Sequence, residues 1–496
     1  MTVYLIGAGP GDPGLLTLRG AALLEAADVV VYDRLVDQEI LSFARPDAEL
    51  IDVGKSVGEV RMDQGAINEL LVDMGARHDV VVRLKGGDPY VFGRGGEEAM
   101  ALAEAGIAYE CVPGVSVIAA VPGSAGVPLT MRGMSSSVTV VTGHDPLSEG
   151  DAATIPWEEL AKSGATLVVL MGARQRAAIA DRLLRAGKAP TTPVLVVERG
   201  TTPDQRSTRT TLSHLGEIET SAPSTIVIGD VAGLRLASIE DRPLHGWKVV
   251  VTRSADQAGE LTSRLIQSGA RPIAFPTIAI TDAKDGGVAL RDALCRLESF
   301  DWLVFSSPNA VERVFSELHD ARGLWGVSIA AMGSVTARAL LAHGIVADLV
   351  PTRYVADALI EDFPSNLDRR ASKGGRVLIP RASIAPNALP EGLAARGWEV
   401  EVVEAYQTVR PPLREGVLED LEGADIVIFT SSSTVTGFFE LAGASLLPPV
   451  IASIGPVTSK TLEDAGFPPT IEAAEHTIPG LMGAILAYAN AHPRST

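Results

Sequence analysis

Short runs of β-branched and aliphatic residues recur along the chain, separated by stretches whose apolar positions fall three or four apart. Thr2–Ile6, Asp28–Tyr32, Val80–Leu84, Val138–Thr142, Thr166–Met171, Val194–Val197 and Thr225–Gly229 read as strands. Continuous apolar runs of that length, bounded by turn residues, mark strands buried on both faces. Leu15–Ala26 and Gln64–Met74 have the spacing of amphipathic helices. The alternation predicts an α/β fold. It resumes at Trp247, after the polar, Pro- and Gly-bearing segment Leu236–Gly246 (LASIEDRPLHG). A division of the chain is therefore expected there.

Beyond that point the pattern repeats. KVVVTRSADQAGELTSRLIQSGARPIAFP starts at Lys248 and RVLIPRASIAPNALPEGLAARGWEVEVVE at Arg376, which sets Arg253 and Arg381 128 residues apart. FDWLVFSSPNAVERVF and ADIVIFTSSSTVTGFF follow at an offset of 124, then VSIAAMGSVTARALLAHGI and PVIASIGPVTSKTLEDAGF at 122. Three blocks in one order imply two similar α/β lobes with a cleft between them as the ligand site, since the period is too long for a solenoid. Ser306–Asn309, Gly333–Thr336, Thr430–Ser433 and Gly455–Thr458 each follow a strand and open a helix. Any one such loop is what ordinary helix capping requires. Four together would suit a ligand with several carboxylates or phosphates, at ~1.5–3 kcal/mol per charge-assisted bond.

Composition narrows the field. The 496 residues carry 42 Lys+Arg against 61 Asp+Glu, a formal charge of −19. That excludes a general nucleic-acid binder, which needs a basic stripe, but not an anionic ligand held in a local pocket. Hydrophobic content of 46% with 21% charged residues is that of a folded protein of about two to four domains. Two cysteines, Cys111 and Cys295, build neither a disulfide framework nor a metal site. The opening MTVYLIGAGPGD has no basic n-region, so a cytoplasmic protein is expected. Cys111–Met131 is uncharged and long enough for a membrane span. Its Pro113, Pro122 and Pro128 with Gly114, Gly123 and Gly126 would break a lone helix, so it reads as buried loop and helix lining a site.

Two glycine-rich strings carry the chemistry of the first half. GAGPGD (Gly7–Asp12) alone would prompt a nicotinamide-dependent oxidoreductase, but Asp12 stands where G-x-G-x-x-G has its third glycine. VVRLKGGDPYVFGRGGEE (Val81–Glu98) is the more specific, with glycines dense enough to mean close backbone approach to a ligand. With GAGPGDPGLLTLRGAALLEAADVVVYDRLV, VGK (Val53–Lys55), VPGVS (Val112–Ser116), PLTMR (Pro128–Arg132), SVTVVTGH (Ser137–His144) and VERGT (Val197–Thr201), it resembles S-adenosylmethionine-dependent uroporphyrinogen-III C-methyltransferases. The second half resembles uroporphyrinogen-III synthases through VTRSADQ, FSSPNAV, EAYQTV (Glu404–Val409), SIGPVTSKTL and the two-lobed repeat.

These resemblances imply a methyltransferase at 1–240 built as a pair of α/β subdomains, a linker at 241–246 and a two-lobed α/β synthase at 247–496. They imply a bifunctional enzyme that closes hydroxymethylbilane to uroporphyrinogen III with inversion of the last ring. It would then methylate that product twice, at C2 and C7, to precorrin-2. S-adenosylmethionine is the implied methyl donor, with no metal, and the tetrapyrroles are the implied substrates. The carried-over donor-binding residues are Pro10, Gly86, Gly87, Asp88, Val91, Ser116, Val117, Met171 and Gly200. Asp33, in YDRLV, matches the proposed general base and Lys55 the proposed acid. When a pyrrole carbon attacks the sulfonium methyl a proton must leave and another must be handled as double bonds shift, and a carboxylate at a strand end suits that task. Tyr406 matches the synthase residue that assists hydroxyl loss, while a packed tyrosine with a bonded hydroxyl would look the same. Ser307, Thr336, Ser431 and Thr458 are expected carboxylate contacts. The chain departs from the methyltransferase pattern at Ser116–Val117, where Thr–Ala or Thr–Ser is common, and at PLTMRGM, where PLTHRD is common. The family likeness further implies a homodimer, with no nucleic-acid or membrane partner. No His–carboxylate pair, Cys nucleophile or metal cluster stands out in the second half. A methyltransferase joined to a non-catalytic tetrapyrrole-binding module is therefore the competing reading.

Overall fold

β-Branched runs build the first sheet. In the computed structural model, which describes residues 1–34, 36–54, 62–143, 155–351, 356–366, 374–413 and 416–494, its strands are β1 (Thr2–Gly7), β2 (Val29–Tyr32), β3 (Glu49–Asp52), β4 (Val80–Lys85) and β5 (Tyr109–Val112). Of residues 255 and 256 only the backbone is described. All pairs are parallel, in the order β3-β2-β4-β1-β5. Val29, Val30 and Val31 are wholly buried, as are Val81 and Val82, because helices cover both faces. The helices start where capping residues stand. Thr17 Oγ1 accepts from Gly20 N (3.1 Å) ahead of helix Leu18–Glu25, and Asp63 Oδ1 accepts from Ala66 N (2.9 Å) ahead of helix Gln64–Arg77. The crossovers leaving the adjacent strands β1 and β4 run in opposite directions across the sheet, so their loops lie at a topological switch point.

A second sheet follows, with β6 (Val138–Thr142), β7 (Thr166–Leu170), β8 (Pro193–Glu198), β9 (Arg206–Thr211) and β10 (Ser224–Ile228) in the order β6-β7-β10-β8-β9. Only β6 and β7 pair in parallel. The segment Cys111–Met131 is the joint between the sheets: it finishes β5, forms helix Val117–Ser124 with Pro122 inside it, and packs Val121, Ala125 and Val127 against Leu195, Val197 and Val227. Among the described residues no helix is long and apolar enough to cross a membrane.

The chain divides into two compact units: Met1–Trp247 with Arg264–Arg271 and Ala489–Thr496, and Lys248–Ser263 with Pro272–Tyr488. The second unit holds two sheets. One has the order β12-β11-β18-β19-β20 and the other β13-β17-β16-β14-β15, where β11 is Lys248–Val251, β12 Arg271–Ala274, β13 Ala279–Asp282, β14 Trp302–Phe305 and β15 Ser328–Ala331. The remaining strands are β16 (Arg376–Ala382), β17 (Glu399–Val409), β18 (Ile426–Phe429), β19 (Val450–Ser453) and β20 (Ile471–Glu472). Two similar lobes are present, but neither lobe is one repeat. Each repeat gives its first two strands to one sheet and its remaining three to the other. Val249 pairs with Ile426 in one sheet, and the repeat-related Val377 and Trp302 pair in the other. The Ala452–Ile471 pairing likewise recurs as an isolated bridge between Ala330 and Leu349. Each lobe has its own core: Phe275, Phe429 and Phe438 in one, Leu303, Phe305 and Val314 in the other.

Element ends shift where backbone geometry intervenes. Helix Leu15–Ala26 was expected whole, but Pro13–Leu15 forms a separate 3-10 turn and the α-helix begins at Leu18. The strand expected to reach Met171 stops at Leu170, because Met171 turns into the left-handed region at φ 57°.

A Cβ on Gly114 would stand 2.2 Å from Gly87 O and 2.6 Å from Gly7 Cα, all backbone that cannot yield. Gly114→Ala should lower the thermal midpoint, at a cost of about 1–3 kcal/mol or more. Gly96→Ala, in helix Gly95–Glu104 with nothing within 4 Å of the new methyl, should leave it unchanged or raise it. Calorimetric scans of the two variants check the contrast.

Candidate functional sites

At the switch point the loops after β1 and β4 pair with each other. Gly87 N donates to Gly9 O (2.7 Å) and Gly9 N to Gly87 O (3.2 Å), with Gly9 at φ +81° and Gly87 at φ +68°. Asp88 ties in two further segments: Oδ2 accepts from Gly114 N (3.1 Å) and Oδ1 from Tyr90 N (2.9 Å). Ser116 caps helix Val117–Ser124 by accepting from Ile118 N at 3.4 Å, and the Val117 side chain lies 3.5 Å from where a Cβ on Gly87 would point. Gly86, Gly87, Asp88, Ser116 and Val117 are thus one cluster, with Val91 in the same turn as Asp88 through Val91 N to Asp88 O (3.2 Å).

The second sheet reaches this cluster through the loop after β8. Asp12 N donates to Thr201 Oγ1 (3.3 Å), which joins the Gly9–Pro10–Gly11 turn to Gly200–Thr201. Gly200 is backed onto Val121, whose Cγ1 would lie 2.3 Å from an added Cβ. Gln205 braces the turn by accepting from Thr201 N (2.8 Å) and Ser124 Oγ (2.6 Å). Met171, at the exit of β7, is 54% exposed. Phe92, Arg94, Met171, Arg199 and Thr201 are the described non-glycine residues with positive φ, and all five lie in these loops. Such strain collects where surrounding structure holds a site in shape.

Asp33 leaves the end of β2 and is half-buried. Arg83 Nη2 approaches its Oδ2 at 3.4 Å. Behind Arg83 lies a buried charge group: Glu98 Oε1 receives Lys85 Nζ at 2.7 Å and Arg83 Nε at 3.1 Å, with Glu98 fully buried. Burial, and Arg83 beside it, hold the Lys85 ammonium below the ordinary lysine value, while Glu98 and Asp33 act in the opposite sense. Lys55, the expected acid, lies outside the described residues. Sequence reading passed over Arg83, Lys85 and Glu98. The available signal was a pair of cations two apart in VVVRLK, a run otherwise apolar enough for a central strand.

In the second unit Tyr406 is buried on β17, and its hydroxyl lies 3.0 Å from Ser307 Oγ. Ser307 also caps helix Pro308–Glu317 by accepting from Ala310 N (3.2 Å). Ser431 caps helix Ser432–Leu441 through Thr434 N (3.3 Å) and lies 2.9 Å from Ser433 Oγ. Its loop touches the neighbouring one through Thr461 Oγ1, which donates to Ser432 Oγ at 2.7 Å. Thr336 and Thr458 each sit in the first turn of a helix and are 4% exposed. Ser307, Thr336 and Tyr406 therefore belong to one lobe, and Ser431 and Thr458 to the other. Among the described residues no group of three or more His, Cys, Asp or Glu could hold a metal ion.

Two family models match this chain: Tetrapyrrole (Corrin/Porphyrin) Methylases over residues 2–216, and Uroporphyrinogen-III synthase HemD over residues 259–483. It is 36% identical over 459 residues to the porphyrin biosynthesis protein HemD of Ruminiclostridium josui, covering 88% of each chain. It is 49% identical over 237 residues to the S-adenosyl-L-methionine-dependent uroporphyrinogen III methyltransferase of Methanosarcina barkeri, covering 47% of this chain and 92% of that one. Among solved structures, the uroporphyrin-III C-methyl transferase of Thermus thermophilus complexed with S-adenyl homocysteine is 43% identical, covers 47% of this chain and 98% of its own, and has a TM-score of 0.41.

The two charge pairs near the glycine loops should differ in weight. Glu98→Ala leaves Arg83 and Lys85 buried without their shared carboxylate, which should cost about 3–5 kcal/mol in urea unfolding. Glu97→Ala breaks only the exposed pair with Arg94 and should cost no more than about 1 kcal/mol.

Proposed function

For a chain that belongs to the family of the porphyrin biosynthesis protein HemD, with a uroporphyrinogen-III C-methyltransferase joined to a uroporphyrinogen-III synthase, we propose how its residues divide the work. The chain is a bifunctional enzyme of tetrapyrrole biosynthesis with both activities, and S-adenosylmethionine is its methyl donor. We assign 1–240 to the methyltransferase, 241–246 to a linker and 247–496 to the synthase. The synthase half would close hydroxymethylbilane with ring inversion, and the first half would methylate uroporphyrinogen III at C2 and C7 to precorrin-2.

The loops at the switch point suit the donor. A Cβ on Gly87 would lie in ordinary contact with Val117 Cγ1 at 3.5 Å, so the bare backbone keeps that methyl's space open beside Val117. Pro10, Gly86, Gly87, Asp88, Val91, Ser116, Val117, Met171 and Gly200 would hold it, with Asp88 also clamping the loops and Gly200 letting its turn close on Val121. When bound, the donor supplies an electrophilic methyl group. The observation that carries the residue assignment is the Asp33 carboxylate, presented at the end of β2 with Arg83 behind it. Asp33 accepts a proton that the methylated macrocycle gives up elsewhere, and Lys55 supplies one as the double bonds shift. In the synthase half Tyr406, its hydroxyl against Ser307, assists departure of the substrate's hydroxyl group. Ser307, Thr336, Ser431 and Thr458, with the amides their helix starts present, receive carboxylates. Positioning then does most of the catalytic work. We further infer a cytoplasmic homodimer that engages tetrapyrroles and neither nucleic acid nor membrane.

Isomer analysis by mass spectrometry and chromatography, after feeding hydroxymethylbilane with and without S-adenosylmethionine, tests this reading. The type III ring without donor and its dimethylated product with donor are expected. Formation of only the type I ring would overturn the synthase assignment. Asp33→Asn should leave cyclisation intact and slow methylation by ~10²–10⁴-fold. An unchanged methylation rate would remove Asp33 as the base. Tyr406→Phe should slow cyclisation and leave methylation of supplied uroporphyrinogen III unaltered.

A further inference from the structure

The turn between β8 and β9 carries Gly200, with Arg199 and Thr201 on either side of it at φ 45° and 70°. Two side-chain-bearing residues in the left-handed region need surrounding structure to hold them there. Gln205, 1% exposed, clamps the second of them: its Oε1 accepts from Thr201 N (2.8 Å) and from Ser124 Oγ (2.6 Å). Its Nε2 donates to Glu240 Oε1 (2.8 Å). Glu240 lies 35 residues further on, in the 3-10 turn Ile239–Asp241, and is itself tied down. Its Oε2 accepts from Ser207 N (3.2 Å) and its Oε1 from Ser207 Oγ. Ser238, which caps that turn, donates through Oγ to Ser124 O (3.1 Å), and Leu236 N donates to Gly126 O (3.3 Å). The segment that closes the methyltransferase half therefore reaches the turn at Gly200 through one buried amide.

The two ends of a side-chain amide have nearly the same shape and opposite hydrogen-bonding sense. Thr201 N can only donate and the Glu240 carboxylate can only accept. Glu240 thus draws the NH2 end of Gln205 toward itself and leaves the oxygen for Thr201. With no acceptor at 240 the amide loses the group that orients it, and the reversed orientation sets NH2 against Thr201 N. We propose that Glu240, acting through Gln205, is a positioning residue for the Gly200–Thr201 turn in donor binding. This rests on the reading of Gly200 as a donor contact.

Exchanging the two side chains in the full chain tests the role. Glu240→Gln keeps the shape but offers one oxygen to two donors, Gln205 Nε2 and Ser207 N. Gln205→Glu sets two carboxylates against each other. Each single variant should weaken S-adenosylhomocysteine binding by about 3–10-fold, titrated by calorimetry well below the thermal midpoint. KM for S-adenosylmethionine should rise in step, with kcat at saturating donor within about twofold of wild type. In the double variant the carboxylate at 205 can accept from Thr201 N, Ser124 Oγ and the amide at 240, whose oxygen accepts from Ser207 N. Affinity should then return to within about threefold of wild type. A purely structural role predicts a lower thermal midpoint with donor affinity unmoved, or no recovery in the double variant, and either result would overturn the proposal. Should Gln205→Glu not fold, Glu240→Asp, one methylene shorter in its reach toward Gln205, carries the expectation of the single variants. Hydrogen exchange in the wild-type chain separates the two readings. S-adenosylhomocysteine should slow exchange across Arg199–Gln205, and if it does not, the donor contact at Gly200 fails. If it does and the Glu240 variants bind like wild type, only the positioning role fails.

Discussion

Three glycine backbones meet where β1, β4 and the segment after β5 leave the first sheet, and the layout of the N-terminal half follows from that contact. A methyl on Gly7 or Gly114 would stand 2.2–2.5 Å from the backbone of another of the three, whereas at Gly87 the constraint is its φ of +68°. Close approach lets the loops after β1 and β4 hydrogen-bond to each other and brings Asp88 within reach of Gly114. The turn at Gly9–Asp12 is then placed to meet Thr201 from the second sheet. The loops proposed to hold the donor are thereby joined by the Gly9–Gly87 backbone pairing and by the Asp88 and Thr201 side chains.

The second unit meets a different constraint. Each repeat supplies strands to both lobes, so neither lobe can form from one repeat alone. The pairing of β11 with β18 and of β14 with β16 reproduces one local arrangement twice, which keeps the same buried surface on each sheet. The exchange also decides which hydroxyl loops are neighbours. Ser307 and Thr336 come from one repeat and share a sheet, yet the residue against Ser307 is Tyr406 from the other repeat. A substrate that brings its own leaving group asks little acid or base chemistry of such a site, in keeping with a lobe built around capped helix starts and one buried tyrosine.

Charge is handled differently in the two halves. In the methyltransferase half, Glu98 gathers two cations out of water behind the candidate base. In the synthase half the candidate groups are neutral hydroxyls and helix-start amides, which pair with carboxylates without burying a formal charge of their own. Both fit a protein whose net charge is −19 and whose substrates carry many carboxylates.

The sequence by itself determined most of the strands, the repeat and the motifs of both families, because each depends on residues close together in the chain. β-Branched runs such as VVVY fold as buried strands wherever they pair, and Thr17, Asp63 and Ser307 cap the helices that follow them. The candidate roles of Gly86–Asp88, Ser116–Val117 and Asp33 came instead from the resemblance to the methyltransferase family. Only tertiary structure decided what meets what. Glu98 lies in a helix start whose acidic residues look like ordinary dipole partners, and nothing local says that it turns inward to Arg83 and Lys85 while Glu97 turns out to Arg94. Likewise Tyr406 finds Ser307 across 99 residues, and the repeats trade strands between lobes. Local pattern fixes which face of an element is buried, but the partner on the far side of that face is chosen by packing over the whole chain.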